Sequence, residues 1–503
     1  MTDTQKPLGC WECLKKRRVC DLGRPQCRKC HTRGLDCPGY DKKPLKWLQP
    51  GQTRSKGQRA RDESNAGARQ VALSMSPKLS CKSTALLEAF QYYNANVCPD
   101  MVATGNGLQS AFFIPLHAAA YMPTAIAESM ICIALGHRIL QCRDTFNDPN
   151  QLVLAKRLQS HRGSAIRALS EDLGRPDCHA NDETLVSILT FLFSEIQQSI
   201  SPTWRQHHDG AYKIIEMRGG MPRLILSHKE FRHLFQYFIL TDVIGATTSP
   251  DIEITRARRQ CELISILPIL YGNGMSTSLP CPPELLAAVI RINDLRSRRR
   301  MIDEAEDEVP VAALEVLEDI NSFSPGKWAT EVRRYHRSGS IKGDSTVDEA
   351  VVPKRQASAW DWESVASTFQ AAVAIYCISA LLDQDEMAFG AQLGTEDIPI
   401  LKMAYFATLL ADLRRIASSQ PDQLRKLVIW PLVIAGIERD AAQDDDRLFV
   451  IGELEWISRA LGTAAPLVAK DFLTRLWKNA GDLQVNGEGR WDTLFDRPYV
   501  FAV

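Results

Sequence analysis

The sequence predicts two parts of unequal size: a small cysteine-clustered domain at the N-terminus and a large all-α body behind it. Three observations predict this. Six cysteines fall between Cys10 and Cys37. Positive charge gathers at the same end, with 16 Lys/Arg against 5 Asp/Glu in residues 1–61 and 44 against 55 in the rest. From Ser83 onward apolar residues recur at helical spacing, and alternating strand patterns are almost absent.

The cysteines are Cys10, Cys13, Cys20, Cys27, Cys30 and Cys37, and the first triplet recurs 17 residues on as the second. Zinc takes four ligands in a tetrahedron, and a C-x2-C turn supplies two adjacent corners. Six thiolates complete two such sites only if two of them bridge. By the symmetry of the repeat the bridges are Cys10 and Cys27. One zinc then takes Cys10, Cys13, Cys20 and Cys27, and the other Cys10, Cys27, Cys30 and Cys37. The expected cofactor is thus two Zn²⁺ ions, and the fold class is a small two-zinc cysteine cluster domain followed by a large all-α helical domain. An eight-ligand zinc module lacks enough ligands here, since His31 is the only histidine nearby and directly follows Cys30. A redox C-x2-C motif belongs beside a βαβ pattern, which is missing.

Between the ligands the chain is basic: Lys15, Lys16, Arg17 and Arg18 in the first half, Arg28, Lys29 and Arg33 in the second. A short helix between Cys13 and Cys20, fixed by metal at both ends, projects several of these cations; Gly34 ends its counterpart. A basic arm on an acidic body points to a polyanionic partner. The run Lys15–Arg18 also suits a nuclear localisation signal.

The segment Gly9-Cys10-Trp11-Glu12-Cys13…Cys20-Asp21…Arg24-Pro25…Cys27-Arg28-Lys29-Cys30…Cys37-Pro38 resembles the fungal-type zinc binuclear cluster DNA-binding domain. The resemblance implies a nuclear protein that binds double-stranded DNA, lays its first helix in the major groove and reads CGG-type triplets. The positions that usually meet bases are Lys16 and Arg17, both able to donate to guanine O6 and N7. Leu14 and Val19 stand where the family often has Arg and Lys.

Residues 1–40 are therefore expected to form the DNA-binding domain and 41–82 a basic flexible linker, with Lys42, Lys43, Lys46, Arg54, Lys56, Arg59 and Arg61. No three-heptad repeat follows, so a homodimer has no coiled coil to rest on. Residues 83–503 read as an all-helical regulatory domain. Leu86, Phe90, Tyr93 and Val97 open it, and similar stripes recur at 125–142, 152–170, 183–198, 206–218, 230–247, 284–297, 360–383, 397–417, 423–438 and 447–461. The stretch near 296–359, with Asp303-Glu304-Ala305-Glu306-Asp307-Glu308, reads as a loose acidic insertion.

Three stretches of the body are similar to the fungal-specific transcription factor domain. Trp204-Arg205-Gln206-His207-His208-Asp209-Gly210-Ala211 with Arg218-Gly219-Gly220 follows its W-x2-H-L-x-G-A…R-G-G helix, except that His208 replaces the usual Leu. Trp430-Pro431-Leu432 with Ala435-Gly436 suits a later helix, and Tyr92, Val97, Cys98 and Pro99 its opening. In a helix His207, His208 and Asp209 point about 100° apart, which suits packing better than metal binding. No nucleophile elbow, P-loop or dinucleotide fingerprint occurs, so no enzyme is expected. No run of about 18 apolar residues predicts a membrane span, and the N-terminus has no apolar core of a signal peptide.

The resulting expectation is a zinc-dependent, sequence-specific transcription factor for RNA polymerase II genes, working with the transcriptional machinery or co-regulators. By family resemblance its targets are a metabolic or secondary-metabolite gene cluster. The alternative is a zinc-stabilised co-regulator brought to promoters by protein partners.

Overall fold

Two short helices, α1 (Trp11–Lys15) and α2 (Arg28–His31), form the frame of the N-terminal unit, and a cysteine caps each. At this length neither is stable alone. The Cys13 amide donates to the Cys10 sulfur at 3.4 Å, and the Cys30 amide to the Cys27 sulfur at 3.3 Å. The computed structural model of the chain describes residues 9–40, 81–101, 112–142, 149–175, 181–198, 204–271, 281–299, 308–339, 357–382, 398–419, 422, 424–438, 443–479 and 491–501. It divides into two units, Met1–Lys78 and Leu79–Val503. The linker read over 41–82 lies outside the described residues as far as residue 80.

The 17-residue repeat of the sequence is also a repeat of the backbone. The Arg18 amide closes α1 on the Cys13 carbonyl (2.8 Å), and the Leu35 amide closes α2 on that of Cys30 (3.0 Å). The residue before each is left-handed: Arg17 at φ +52° and Gly34 at +62°. Five residues on the pattern repeats, with Leu22 at +56° and Gly39 at +79°. Glycine adopts this conformation freely, whereas a side chain costs about 1–2 kcal/mol there. The second half takes the cheap residue twice and the first half neither time.

The helix expected between Cys13 and Cys20 is displaced. It starts before Cys13, because Cys10 caps it, and ends at Lys15. Of Lys15, Lys16, Arg17 and Arg18 only the first is helical. The chain must turn back after it, since the Cys10 amide donates to the Cys20 sulfur at 3.4 Å.

The second unit is helical, with no β-strand among the described residues. In α3 (Cys81–Tyr92), α4 (Thr124–Gln141) and α5 (Pro149–Leu173) the apolar stripes meet one another. Phe90, Met130, Leu135 and Leu158 make a separate small core there. The chain continues through α6 (Asp182–Gln198), α7 (Trp204–Met217), α8 (Met221–Ser227), α9 (Arg232–Thr247), α10 (Ile254–Leu263), α11 (Leu267–Tyr271) and α12 (Pro283–Arg299). Then come α13 (Glu308–Ser322), α14 (Pro325–Gly339), α15 (Ala359–Cys377), α16 (Ile398–Ser418), α17 (Ile429–Ile437), α18 (Asp444–Leu461) and α19 (Ala465–Lys478). These surround one large core.

At the centre of that core, α15 starts on a capping box between Ser358 and Asp361 and is buried almost all round. With its π-helical extension it forms an apolar stretch, Ala359–Leu382, long enough to cross a bilayer. The sequence shows it as the helical stripe at 360–383, with no membrane span expected. Within the body 89% of its apolar window is buried, which makes it a core helix.

The loose insertion read near 296–359 is corrected in part. Helix α12 runs on to Arg299, and α13 and α14 are regular helices. The acidic run hid an apolar stripe directly behind it: Val309, Ala313, Val316, Leu317 and Ile320 are all buried. Residues 300–307 and 340–356 lie outside the described residues.

A polar chain runs through the body's interior. Arg256 pairs with Asp209 and Asp242. Gln260 donates to Asp242 (2.9 Å), Asn293 to Gln260 (2.9 Å), and Tyr376 to Asn293 (2.7 Å). Arg296 then donates to the Tyr376 hydroxyl (2.8 Å), pairs with Asp492, and caps the end of α9 on the carbonyls of Ala246 (3.1 Å) and Ser249 (3.0 Å). Residues 491–501 fold back over this region. The Trp491 indole donates to the Thr247 carbonyl (2.7 Å), and Thr248 and Tyr499 exchange two hydrogen bonds. The motif tryptophans join in: Trp430 donates to the Thr247 hydroxyl (2.8 Å) and Trp204 to the Pro498 carbonyl (3.4 Å).

His208 sits inside this frame. It stacks on Phe238 at 3.9 Å, with Nδ1 3.6 Å from Asp242, and burial lowers its pKa to about 4 despite that carboxylate. A neutral ring packed face to face does the work of the usual leucine. His207 instead packs edge-on to Phe191.

Candidate metal centre and nucleic-acid interface

The fold of the first unit gathers the six cysteines into two overlapping groups. Cys10, Cys13, Cys20 and Cys27 lie with all sulfurs within 4.8 Å of one another, and so do Cys10, Cys27, Cys30 and Cys37. Cys10 and Cys27 belong to both. Zinc with Zn–S bonds of about 2.3 Å at tetrahedral angles needs sulfurs about 3.8 Å apart. Cys10–Cys27 is 3.6 Å, Cys10–Cys30 3.7 Å and Cys13–Cys27 3.8 Å. The donor set therefore fits two tetrahedral zinc sites sharing an edge. His31 is exposed and takes no place in either group.

Burial pushes the shared Cys10 thiol up to about 12, and it pushes Cys27 higher still. Cys13 is raised by the same cause. Burial also opposes ionisation of Cys20, but donation from the amides of Cys10 and Leu22 outweighs it and brings the thiol to about 7. Cys37 is lowered chiefly by the Cys27 amide, against burial and with help from Gly39. A cation held by Cys10 and Cys27 would offset the desolvation of their sulfurs, and its binding would expel protons.

Asp21, quoted in the motif without a role, and Tyr40, which the sequence reading does not name, support the cluster. Asp21 accepts from the amides of Arg28 (2.9 Å) and Lys29 (3.2 Å), anchoring the start of α2; the Arg28 amide is the main reason its pKa is lowered. Tyr40 lies against the sulfurs, donates to the Gly23 carbonyl (2.7 Å) and sits 4.0 Å from Cys20. The only signal for either was position: an acid directly after the third cysteine, an aromatic three residues after the last.

All seven cations named between the cysteines, Lys15, Lys16, Arg17, Arg18, Arg28, Lys29 and Arg33, are exposed. Lys15 to Arg18 leave the end of α1, and Arg28 and Lys29 occupy the first turn of α2. Leu14 and Val19 are exposed too, Val19 at 81%.

A doubly shared six-cysteine cluster carrying exposed cations, followed by a largely helical body, is the architecture of zinc-binding, DNA-binding transcription regulators. The chain belongs to the fungal specific transcription factor domain family, matched over residues 88–500, and residues 8–46 match the fungal Zn(2)-Cys(6) binuclear cluster domain. Over 518 aligned residues, covering 100% of this chain and 91% of the relative, it is 27% identical to the phomenoic acid biosynthesis cluster-specific transcriptional regulator of Leptosphaeria maculans. Over 44 residues (9% of this chain, 5% of the relative) it is 46% identical to arginine metabolism regulation protein II of Saccharomyces cerevisiae. Over 43 residues (8% and 7%) it is 42% identical to pestheic acid cluster transcriptional regulator 3 of Pestalotiopsis fici. No solved structure matches.

Proposed function

We propose that this chain is a nuclear, sequence-specific regulator of an RNA polymerase II-transcribed biosynthetic gene cluster, reading CGG-like triplets in double-stranded DNA. Two Zn²⁺ ions, held by Cys10, Cys13, Cys20, Cys27, Cys30 and Cys37, cross-link the DNA-binding domain. Lys16 and Arg17 meet base edges in the major groove, while Lys15, Arg18, Arg28 and Lys29 neutralise phosphates. The basic linker adds sequence-independent contacts. The helical body regulates by pairing with a second copy or with co-regulators. The observation that carries this reading is the pair of four-sulfur groups sharing Cys10 and Cys27, with the exposed basic run built on the same frame. The full-length relative, named for a biosynthetic cluster, supports the choice of target.

Native mass spectrometry of the full chain should count two zinc ions, and a strong chelator should abolish binding to a duplex selected from random DNA. Specific binding that survives metal removal would sink the proposal. A chain that selects no duplex at low salt would point instead to a co-regulator.

Arg17 offers an independent check, because its backbone is better suited to glycine. Arg17→Gly should stabilise the cluster domain, by up to about 1–2 kcal/mol. It should also weaken the selected duplex by about 1–3 kcal/mol, the scale of a good base contact. Opposite signs in thermal melting and in DNA titration are the expected result.

A further inference from the structure

The exposed basic run carries an acid in its midst. Glu12, in the first turn of α1, places one carboxylate oxygen 3.7 Å from the Lys15 ammonium and the other 3.4 Å from that of Lys16. Its side chain is 20% exposed, against 74% and 41% for the two lysines. Of the other two acids in residues 9–40, Asp21 is engaged by backbone amides of α2 and Asp36 lies past the end of that helix.

A negative charge on a surface that meets a polyanion weakens binding, so its placement needs another reason. A lysine is a point charge on a flexible four-carbon stem, which binds any phosphate within reach. Glu12 lies three residues before Lys15, the last helical residue of α1, and four before Lys16, its C-cap; a glutamate N-terminal to a lysine at this spacing has the favourable orientation for pairing. Here it is also held near the start of α1, where a carboxylate is favoured. The pairing fixes where the two ammonium groups lie before DNA arrives.

We infer that Glu12 is a specificity-setting, positioning residue: its carboxylate tethers Lys15 and Lys16 as an ordered donor pair and keeps them off arbitrary phosphates. This rests on the proposed DNA-binding role of those lysines. The tether trades non-specific affinity for discrimination between sequences.

The test uses the full-length, zinc-loaded chain with two probes. One is the duplex that the wild-type chain selects from a random pool; the other has the same composition in scrambled order. Glu12→Gln removes the charge and keeps the length. It should tighten the scrambled duplex more than the selected one and lower the ratio of the two affinities by about tenfold, the scale of one good base contact. The log–log salt slope on the scrambled duplex should steepen by about 0.9 for each lysine released to a phosphate. Glu12→Asp decides between tether and charge. It keeps the charge but is one methylene too short to span both lysines, so it should lose discrimination as Glu12→Gln does. If Glu12→Asp behaves as wild type, or if both probes tighten equally in Glu12→Gln, the effect is plain charge repulsion and the inference is overturned. Zinc content equal to wild type shows that each variant keeps its fold. A wild-type chain that discriminates between no duplexes overturns the DNA-binding reading itself, a result separate from either variant outcome.

Discussion

Cys27→Ser in the full-length chain is expected to release both zinc ions at once and to abolish selective DNA binding. The shared position of Cys27 in both sulfur groups is the reason. A variant at a terminal position, Cys13→Ser, removes one corner of one tetrahedron and leaves the other group of four complete. Structural zinc contributes about 10–16 kcal/mol to small domains, far more than two short capped helices hold by themselves. The shared-sulfur variant should therefore unfold the N-terminal unit while the helical body keeps its circular dichroism. Affinity for the selected duplex should fall to the non-specific level, about a thousandfold or more. Native mass spectrometry reading zero ions for Cys27→Ser, and at least one for Cys13→Ser, is the diagnostic pattern; equal loss in both would argue against a bridging sulfur.

The second large effect lies in the body. Arg296 is fully enclosed, and its guanidinium joins Asp492, Tyr376 and the carbonyl end of α9. Arg296→Met fills much of the volume but leaves those carbonyls and a carboxylate without their donor. Breaking a buried pair from one side costs about 3–5 kcal/mol. Arg296→Lys keeps the charge and loses the fork, so it should recover only part of this. Denaturant midpoints of the two variants against wild type measure the difference. A midpoint unchanged in Arg296→Met would show that the end of α9 does not depend on this residue.

Legibility from the sequence followed the physical origin of each feature. The cysteine spacing announced the cluster because metal geometry leaves few alternatives. Most of the helices announced themselves through apolar stripes. Helix α10 did not: most of its residues are polar, and beside Ala257 and Leu263 its inner face carries Arg256 and Gln260. Helix α13 was masked by the acidic run that starts it. The segment at 491–501 buries Trp491, Phe495, Tyr499 and Phe501; the first three are four residues apart, yet only Trp491–Leu494 is helical, so the spacing did not mark a regular helix. At the site, the exposed cations could be named one by one. Their setting could not: a glycine advertises a left-handed turn, but Arg17 and Leu22 take the same turn silently, and the tie from Glu12 depends on side-chain reach.

The matched turns at Arg17 and Gly34, and at Leu22 and Gly39, have a consequence for how the cluster can sit on a site. With chemically equal halves it would look alike from either side, and a bound site would have no preferred direction. The backbone supplies that equality, and the side chains remove it. One half presents an arginine at its turn while the other presents bare glycine. The domain is thus polar in the sense that an arrow is, with a head and a tail, and any sequence it recognises inherits a direction.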